Sequence, residues 1–266
     1  MSNLRLRATT ALALAGTAAF ALAFAAGPIA SAQDAKPATD SFSEAQKKSI
    51  EEVVRTYLIA NPQVVAEALQ ALDKKETEAR AAAHEKFIVE NKAAIFAAPT
   101  DFVFGNPKGD VTVVEFFDYN CGWCKKAVTE LVELPKKDSN VRIILKELPV
   151  YGGETSVNAA KAAMASIPQG KYLEFHVALM QQKPVTNDNL YKIAQKVGLD
   201  VERLKKDMAA PAIEAALKQN IAVARTLGIE GTPGFVADTK VYPGYIPQDQ
   251  LLLALTDVRK AGCKIC

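Results

Sequence analysis

Apolar residues recur at helical spacing in the N-terminal part of the chain. Ser43 and Gln46 have the spacing of a capping box, which satisfies free N–H groups at the start of a helix. The apolar positions that follow at intervals of three and four are Ile50, Val53, Val54, Tyr57 and Leu58. This spacing predicts an amphipathic helix with one apolar face.

A second helix is predicted directly after the first. Asn61 and Pro62 end the first helix and begin the next, because asparagine caps helices and proline fits their first turn. The apolar stripe continues at Val65, Leu69 and Leu72 and then fades into a run rich in Lys, Glu and Ala. We expect residues 33–98 to form an N-terminal helical segment and linker. This segment could pack on the rest of the chain, stand in solvent as a spacer, or associate with other copies.

Further along, the hydrophobic pattern becomes that of alternating strands and helices. Strands are predicted at residues 101–104, 111–117 and 141–148, the second of them rich in β-branched and aromatic residues. A helix beginning at Cys121 connects the last two strands and is expected to end at about Leu134, where a proline follows. A strand–helix–strand unit of this kind forms a right-handed parallel crossover.

The chain is then predicted to be nearly all helical over residues 155–228. Strands return at 234–237 and 240–242, before a last amphipathic helix at about 247–260. The predicted fold class is therefore α/β, with a helical subdomain inserted into a domain at residues 99–266 and the helical segment in front of it.

The composition is that of an ordinary globular protein. Of 266 residues, 49% are hydrophobic and 23% charged, which excludes disordered and low-complexity chains. The formal net charge of +2 does not indicate a nucleic-acid partner. Only 2 His are present, which argues against a His-rich metal site, and we expect neither a metal nor a cofactor.

The first residues have the three parts of a secretory signal peptide. Arg5 and Arg7 precede a long apolar run, and Ala30-Ser31-Ala32 offers small residues for cleavage. We expect residues 1–32 to be removed on secretion across the inner membrane into the periplasm, an oxidising compartment. The alternative is an uncleaved anchor, because the apolar run approaches the length of a membrane-spanning helix.

Cys121 and Cys124 form a C-x-x-C pair between a predicted buried strand and a predicted helix. The first turn of a helix has unpaired N–H groups and a partial positive charge, which stabilise a thiolate. We expect Cys121 to be exposed with a lowered pKa, and Cys124 to be more buried and to resolve mixed disulfides. A structural disulfide is less expected because so short a loop adds little stability. A zinc site shared with Cys263 and Cys266 is disfavoured by their long separation from this pair.

Two further features accompany this pair. Thr232-Pro233 lies in a tight loop before a predicted strand and is a candidate cis peptide. A cis bond there would turn the Thr232 backbone toward Cys121 and let it pair with an extended substrate. The terminal Cys263 and Cys266 could form a small disulfide, bind Cu(I) or exchange with another thiol.

Together these motifs resemble the DsbA-like family of secreted thioredoxin-fold disulfide oxidoreductases. The resemblance is carried by VVEFFDYNCGWC, KELP and GTPGF, and it spans roughly residues 99–260. It implies a thioredoxin-like fold with an inserted helical subdomain, an attacking Cys121, a resolving Cys124, and a cis Pro233 opposite them. Trp123 either packs beside the site or contacts the substrate.

The resemblance also implies a buried acid below the active site, at the position of Glu115. Apolar residues flank this position on both sides, which favours burial, and a buried acid needs a partner or stays protonated. We expect Glu115 to relay the proton of Cys124, with Lys146 as its charge partner. The alternative is a solvated carboxylate on the strand.

The chain departs from the prototype oxidase in ways that favour an isomerase or reductase. Gly122 and Trp123 replace the Pro-His found between the cysteines of that oxidase, so Cys121 lacks a neighbouring positive charge and its disulfide is expected to be less oxidising. Thr232 before the proline resembles isomerase-type members. Residues 57–72 are similar to the N-terminal segment of ScsC-type and outer-membrane-antigen proteins, which in some of them trimerises.

The expected function is that of a periplasmic thiol–disulfide oxidoreductase of the isomerase or reductase type, acting on unfolded or misoxidised secreted proteins. We expect a homo-oligomer, with a trimer among its forms, and a membrane redox partner that resets the cysteines. Two alternatives stay open: a monomeric dithiol oxidase, and a copper-binding or structural envelope protein that uses all four thiols.

Overall fold

The computed structural model of this chain describes residues 42–266. The expected signal peptide at residues 1–32 lies outside the described residues. Two compact units are distinguished by their internal contacts, one ending at Val65 and the other running from Ala66 to Cys266. Across residues 42–266, no helix combines the length and the apolar character needed to cross a membrane.

The first described helix, α1, spans Glu44–Ala60. Ser43 and Gln46 form the predicted capping box: the Gln46 amide donates to Ser43 Oγ at 3.3 Å, and the Ser43 amide donates to Gln46 Oε1 at 2.9 Å. No residue of α1 is buried. The exposed members of its apolar face are Ile50, Val53, Val54, Tyr57 and Leu58. The amphipathic helix is thus confirmed, and its apolar face is open to solvent.

Two helices follow, α2 at Gln63–Glu90 and α3 at Lys92–Phe96. Asn61 differs from its predicted role as a cap of α2, since its side-chain amide donates to the Tyr57 carbonyl at 2.9 Å and so closes the last turn of α1. Ile88 is the one buried residue within α2.

Five strands form a mixed sheet in the order β1-β3-β2-β4-β5. The strands are β1 Phe102–Gly105, β2 Val111–Phe117, β3 Val141–Glu147, β4 Gly234–Ala237 and β5 Lys240–Pro243. β2 and β3 are parallel, as the predicted crossover requires, and the other pairs are antiparallel. Every residue of β2 is buried, because this central strand has an apolar cluster on each face.

The crossover helix, α4, spans Gly122–Lys137 and runs through Pro135, so its predicted end at Leu134 is wrong. Proline removes one hydrogen bond of the last turn. Leu131 and Leu134, which are 4% and 0% exposed, hold this part of the helix against the core.

The helical insertion follows β3. Its helices are α5 Glu154–Ser166, α6 Tyr172–Met180, α7 Asn187–Lys196, α8 Val201–Asp207 and α9 Pro211–Thr226. The last helix, α10, covers Gln248–Ala261 after β5. The α/β class with an inserted run of helices is therefore confirmed.

A buried polar network joins the insertion to the end of β3. Glu147 Oε1 accepts hydrogen bonds from the Tyr172 hydroxyl at 2.8 Å and from the Tyr119 hydroxyl at 3.3 Å, and the latter lies 3.0 Å from His176 Nδ1. Burial raises the pKa of Glu147 well above its usual value and lowers the pKa of His176 to about 3. Both shifts favour the neutral forms, so the network adds no net charge to this part of the core.

The C-terminal residues fold back onto the turn between β4 and β5. Cys263 and Cys266 form a disulfide. The Lys264 amide donates to Asp238 Oδ1 at 2.9 Å, and the Lys264 ammonium pairs with Glu85 of α2. In this state neither sulfur is a thiolate, so the pair offers no ligand to Cu(I). In the described part of the chain, no group of three or more His, Cys, Asp or Glu side chains is arranged to hold a metal ion.

Lys146 does not lie beside Glu115, so the expected ion pair between them is wrong. In the sheet register Glu115 is opposite Leu145, whereas Lys146 is opposite Phe116. Successive side chains of a strand point to opposite faces, which places Lys146 and Glu115 on different sides of the sheet. Lys146 Nζ instead lies 2.6 Å from Asp101 Oδ2, and the two side chains are 1% and 3% exposed.

We predict that Lys146→Met destabilises the fold by about 3 kcal/mol, because removing one partner of a buried ion pair leaves the other buried and unpaired. Urea unfolding followed by circular dichroism measures the change. Lys136→Met is the matched control: Lys136 pairs with Glu133 at 2.7 Å on the surface, and the loss of such a pair costs less than about 1 kcal/mol. Equal losses in the two variants would contradict a stabilising role for the Lys146–Asp101 pair.

Candidate active site

Two free cysteines lie where β2 ends and α4 begins. Cys121 is the N-cap residue of α4, and its amide donates to the Asp118 carbonyl at 3.1 Å. Cys124 lies in the first turn of the helix. This local structure follows from the sequence, because a buried apolar strand ends in a polar loop directly before an amphipathic helix.

The Cys121 thiol is strongly acidified. A hydrogen bond from the Cys124 thiol is the main cause that lowers the pKa of Cys121 to about 5, and the Thr232 side chain and two backbone N–H groups lower it further, against an opposing effect of burial. Burial raises the pKa of Cys124 far above that of a free thiol, and its hydrogen bond to Cys121 and the negative charge of Glu115 add to this rise. At pH 7, Cys121 is therefore a thiolate and Cys124 a thiol.

Cys121 is less accessible than expected. The residue is 6% exposed, so the prediction of an exposed thiol is wrong in extent, although Cys124 is more buried at 0%. The cause is the turn before β4, which packs directly on the sulfur. Cys121 Sγ lies 3.0 Å from the Thr232 carbonyl oxygen and, in its thiol form, donates to it. A reacting molecule must reach the sulfur through the small opening that is left.

The sheet brings this turn to the cysteines. β4 runs antiparallel to β2 with Gly234 opposite Phe116, so the residues just before β4 lie beside those just after β2. The Thr232–Pro233 peptide bond is cis. The Thr232 hydroxyl is buried and has no hydrogen-bond partner among residues 42–266. This free donor can therefore serve the Cys121 thiolate when the thiol ionises.

Glu115 is a buried carboxyl group that interacts electrostatically with both cysteines. It is 1% exposed, and neither of its oxygens has a hydrogen-bond partner among the described residues. Burial raises the pKa of Glu115 to about 8, and negative charge on Cys121 adds to the rise. Glu115 is therefore mostly protonated at pH 7 while Cys121 is ionised. Burial of this acid agrees with the sequence prediction, whereas Lys146 lies across the sheet from it.

Asp118, for which the sequence analysis predicts no role, fixes the loops around the cysteines. Its Oδ1 accepts hydrogen bonds from the Asn120 amide at 2.7 Å and the Ser156 hydroxyl at 2.6 Å. Its Oδ2 accepts from the amides of Val150 and Tyr151, both at 2.7 Å. One carboxylate thus ties the loop before the C-x-x-C pair to the loop that follows β3. The signal available in the sequence was a lone acid between an apolar strand and the cysteines.

Two exposed aromatic side chains lie close to the cysteine pair and its neighbouring turn. Trp123 is 57% exposed and stacks on Tyr245 with 5.3 Å between ring centroids. Tyr151 is 59% exposed, and its hydroxyl lies against Gly231, the residue before Thr232. The sequence indicated Trp123 but not Tyr151, because only the folded chain brings the loop after β3 to the turn before β4.

Comparisons with known proteins agree with this architecture. Residues 112–256 match the family model of the DSBA-like thioredoxin domain, and residues 46–79 match the N-terminal domain of the copper resistance protein ScsC. A thioredoxin-like oxidoreductase from Silicibacter pomeroyi DSS-3 is 46% identical, with a TM-score of 0.63 over 65% of this chain and 99% of that one. Proteus mirabilis ScsC in a transitional conformation is 26% identical, with a TM-score of 0.60 over 84% of this chain and 100% of that one.

Curated relatives include longer proteins. A putative protein-disulfide oxidoreductase from Rickettsia prowazekii is 31% identical over 146 residues, which is 51% of this chain and 53% of that protein. The Na⁺/H⁺ antiporter NhaA 3 of Salinispora tropica is 29% identical over 146 residues, or 54% of this chain and 22% of the antiporter. The chain therefore spans about a fifth of the length of this antiporter and about half of the oxidoreductase.

We predict that alkylation of Cys121 by iodoacetamide increases with pH around a midpoint near 5 rather than near 9. The thiolate reacts and the thiol does not, so a lowered pKa shifts the reactive form to lower pH. Mass spectrometry of quenched samples locates and counts the label. Thr232→Val should move the midpoint to higher pH, because a donor to the thiolate is lost.

Lys136→Met is the control for this titration, since Lys136 lies on the surface in the last turn of α4, and it should leave the midpoint unchanged. A wild-type midpoint close to that of a free thiol would refute the acidified thiolate.

Proposed function

The chain belongs to the DSBA-like thioredoxin family of thiol–disulfide oxidoreductases, and from this premise we propose that it is a periplasmic enzyme that rearranges or reduces disulfides of secreted proteins. The proposal rests on one observation above the others: an ionised Cys121 at the N-terminus of α4, with a protonated Cys124 one turn away. A thiolate that is present at neutral pH attacks disulfides, and its low pKa also makes it a good leaving group.

In the proposed reaction, the Cys121 thiolate attacks one sulfur of a substrate disulfide. A bond forms between that sulfur and Cys121 Sγ, and the other substrate sulfur leaves as a thiolate. In isomerisation, a different substrate thiolate then attacks the mixed disulfide and restores the Cys121 thiolate. In reduction, Cys124 attacks Cys121 Sγ, the substrate leaves as a dithiol carrying two electrons, and Cys121 and Cys124 become a disulfide. A membrane redox partner would return the pair to its starting state.

Glu115 is proposed to accept the proton that Cys124 must lose. Negative charge on Cys121 helps to raise the pKa of Glu115. That charge disappears when the mixed disulfide forms, which lowers the pKa of Glu115. Glu115 then releases its own proton to water, and the resulting carboxylate accepts the proton of Cys124. The carboxyl group has no hydrogen-bond partner among the described residues, which leaves it available for this exchange.

Unfolded or misoxidised secreted chains are the proposed substrates. The aromatic side chains near the cysteine pair, Trp123 and Tyr151, are more than half exposed. Aromatic side chains of this kind are enriched where proteins meet their partners. Such contacts would hold the apolar residues that a misfolded chain exposes.

The periplasmic location is supported by the cysteines at the end of the chain. Cys263 and Cys266 are joined as a disulfide, and disulfides are rare in cytosolic proteins. The signal peptide expected at residues 1–32 is consistent with the same compartment. The joined sulfurs also weigh against the alternative of a copper-binding envelope protein, because thiolates are the species that bind Cu(I).

Self-association through the N-terminal helical segment is part of the proposal. The apolar face of α1 is exposed over about two turns, with Val53 67% and Tyr57 55% accessible. An exposed face of this kind gains free energy when copies bury it against each other. A trimer is among the expected forms.

A monomeric dithiol oxidase is the second candidate function. It is favoured by the low pKa of Cys121, because a stabilised reduced form makes the disulfide more oxidising. The reduction potential of the Cys121–Cys124 pair separates the two: a value near about −120 mV indicates an oxidase, and a much lower value an isomerase or reductase.

We predict that the wild-type protein restores activity to scrambled ribonuclease and that Cys121→Ser abolishes this turnover, because the attacking sulfur is lost. Cys124→Ser should instead accumulate a mixed disulfide, visible as a mass increase that a reductant reverses. If Cys121→Ser retains turnover, Cys121 is not the attacking residue and the proposed function is wrong.

The same assay tests Glu115. Glu115→Gln should form the mixed disulfide at the wild-type rate but release it roughly tenfold to a hundredfold more slowly in the reductive direction, as expected for loss of a general base. Because the substitution is nearly isosteric, unchanged unfolding in urea serves as its control. Equal release rates in the two proteins would exclude the relay.

We predict that the mature chain, residues 33–266, is an oligomer by light scattering, with a mass that is a multiple of one chain. Val53→Asp combined with Tyr57→Asp should give a monomer, because the charges interrupt the apolar face of α1. Arg55→Asp, on the opposite face of the same helix, is the control and should leave the oligomer intact. A monomeric wild-type protein at every concentration would favour the oxidase.

A further inference from the structure

A groove of about 1110 Å³ opens beside the cysteine pair, between α4 and the helical insertion. One wall is a stripe of α4 that begins at Gly122, the residue after Cys121, and ends at Glu133. The other wall is formed by Val177 and Met180 of α6 and by the loop that follows α6. At a rise of about 1.5 Å per residue, the α4 wall is roughly 16 Å long. An extended chain of about five residues, at about 3.3 Å each, fits that length.

The groove has an apolar floor. Val128 and Met180 are 6% and 2% exposed, and the half-buried Val132 and Val177 continue the same surface. A floor of this kind accepts the alternate apolar side chains that an extended segment directs to one side.

The rim of the groove is cationic. Lys125, Lys126 and Lys183 line it, and Glu133 is the one acid in the lining. The Lys126 ammonium lies 4.5 Å from the Tyr245 ring centroid and the Lys125 ammonium donates to the Gln182 carbonyl, whereas Lys183 has no such contact among the described residues. Glu133 already pairs with Lys136 at 2.7 Å. The lining therefore has an excess of positive charge that is not neutralised from within, and carboxylates are the complementary groups.

The groove is held at a fixed position relative to the attacking sulfur. The Val185 amide donates to Asn120 Oδ1 at 2.9 Å, and the Asn120 side-chain amide donates to the Val185 carbonyl at 3.3 Å. The Lys125 ammonium donates to the carbonyl of Gln182 in the same loop. Because Asn120 directly precedes Cys121, a segment bound in the groove is positioned next to the sulfur that reacts.

We propose that this groove binds the stretch of substrate polypeptide that flanks the reacting cysteine and that it selects extended segments carrying Asp or Glu. The inference rests on the proposed function and adds a substrate preference to it. The apolar floor accepts alternate apolar side chains of the segment. The lysines of the rim attract the carboxylates that lie between those side chains. Charges at the edge of an interface act mainly on association, so the preference appears in the rate at which the mixed disulfide forms.

The test uses the full chain and eight-residue peptides with one cysteine joined in a disulfide to 2-mercaptoethanol. Acidic peptides carry two Glu among Val and Leu on one side of the cysteine, and basic peptides carry two Lys at the same positions. Because the structure does not fix the direction in which a segment lies in the groove, the charged residues are placed before the cysteine in one set of peptides and after it in another. The Cys121 thiolate attacks the peptide sulfur and releases the small thiolate, and stopped-flow mass analysis gives the rate.

For one of the two placements of the charged residues, the acidic peptide should react about tenfold faster than the basic peptide at low salt. The ratio of the two rates should fall toward one in 1 M salt, where the screening length is about 3 Å. Lys183→Glu should remove most of the preference. Lys192→Glu, an equal charge change on α7 outside the groove, should retain it. Thr129→Trp fills the groove without changing its charge. It should slow the reaction of both peptides toward the rate of hydroxyethyl disulfide, a substrate with no flanking polypeptide.

Hydroxyethyl disulfide, which is neutral and has no flanking segment, distinguishes failure of the groove proposal from failure of the proposed function. If it reacts at the wild-type rate in every groove variant while the peptides show no acidic preference, the groove proposal fails and the proposed function stands. Equal effects of Lys183→Glu and Lys192→Glu would also overturn the groove proposal, because the charge would then act from the whole surface. If Thr129→Trp changes the mass in solution, the groove holds another copy of the chain, and the proposal is wrong. Failure of the wild-type protein to react with hydroxyethyl disulfide overturns both.

Discussion

Keeping one negative charge on Cys121 at neutral pH is the constraint that the rest of the site serves. A thiolate in a nearly closed pocket is costly unless donors surround it. The Cys124 thiol, the first N–H groups of α4 and the Thr232 side chain supply them. The hydrogen bond between the Cys124 thiol and Cys121 also helps to keep Cys124 protonated. A single interaction therefore distinguishes two chemically identical residues.

Three other buried ionisable sites are accommodated in different ways. Lys146 and Asp101 neutralise each other at 2.6 Å on one face of the sheet. Burial holds Glu147 in its neutral form, although the hydroxyls of Tyr172 and Tyr119 donate to it and favour the ionised form. Glu115 has neither arrangement, and an acid without a hydrogen-bond partner is expensive to keep inside a protein. The proposed proton exchange with Cys124 gives a physical reason for tolerating that cost.

The inserted helices do more than enlarge the domain. Through Asp118 and Asn120, the loop before the cysteines is hydrogen bonded to the start of α5 and to the loop after α6. The insertion thereby becomes one wall of the groove that begins at Gly122. The same helix, α4, contributes the redox pair and the other wall, so the chemistry and the proposed binding surface share one rigid element.

Local patterns in the sequence determined the elements and the chemistry of the cysteines. The capping box at Ser43, the buried strand β2 and the C-x-x-C pair at the start of α4 are features of neighbouring residues, whose spacing sets periodicity and helix termini. The sequence also indicated that Glu115 is buried. It did not determine what stands opposite each residue: that Lys146 faces Asp101, that Tyr151 reaches Gly231, or that the Thr232 turn covers most of Cys121. Those contacts join residues tens of positions apart, and they depend on strand register and on which face of the sheet each side chain occupies. Register and facing are settled only when the whole chain packs, because a shift of one residue exchanges the two faces.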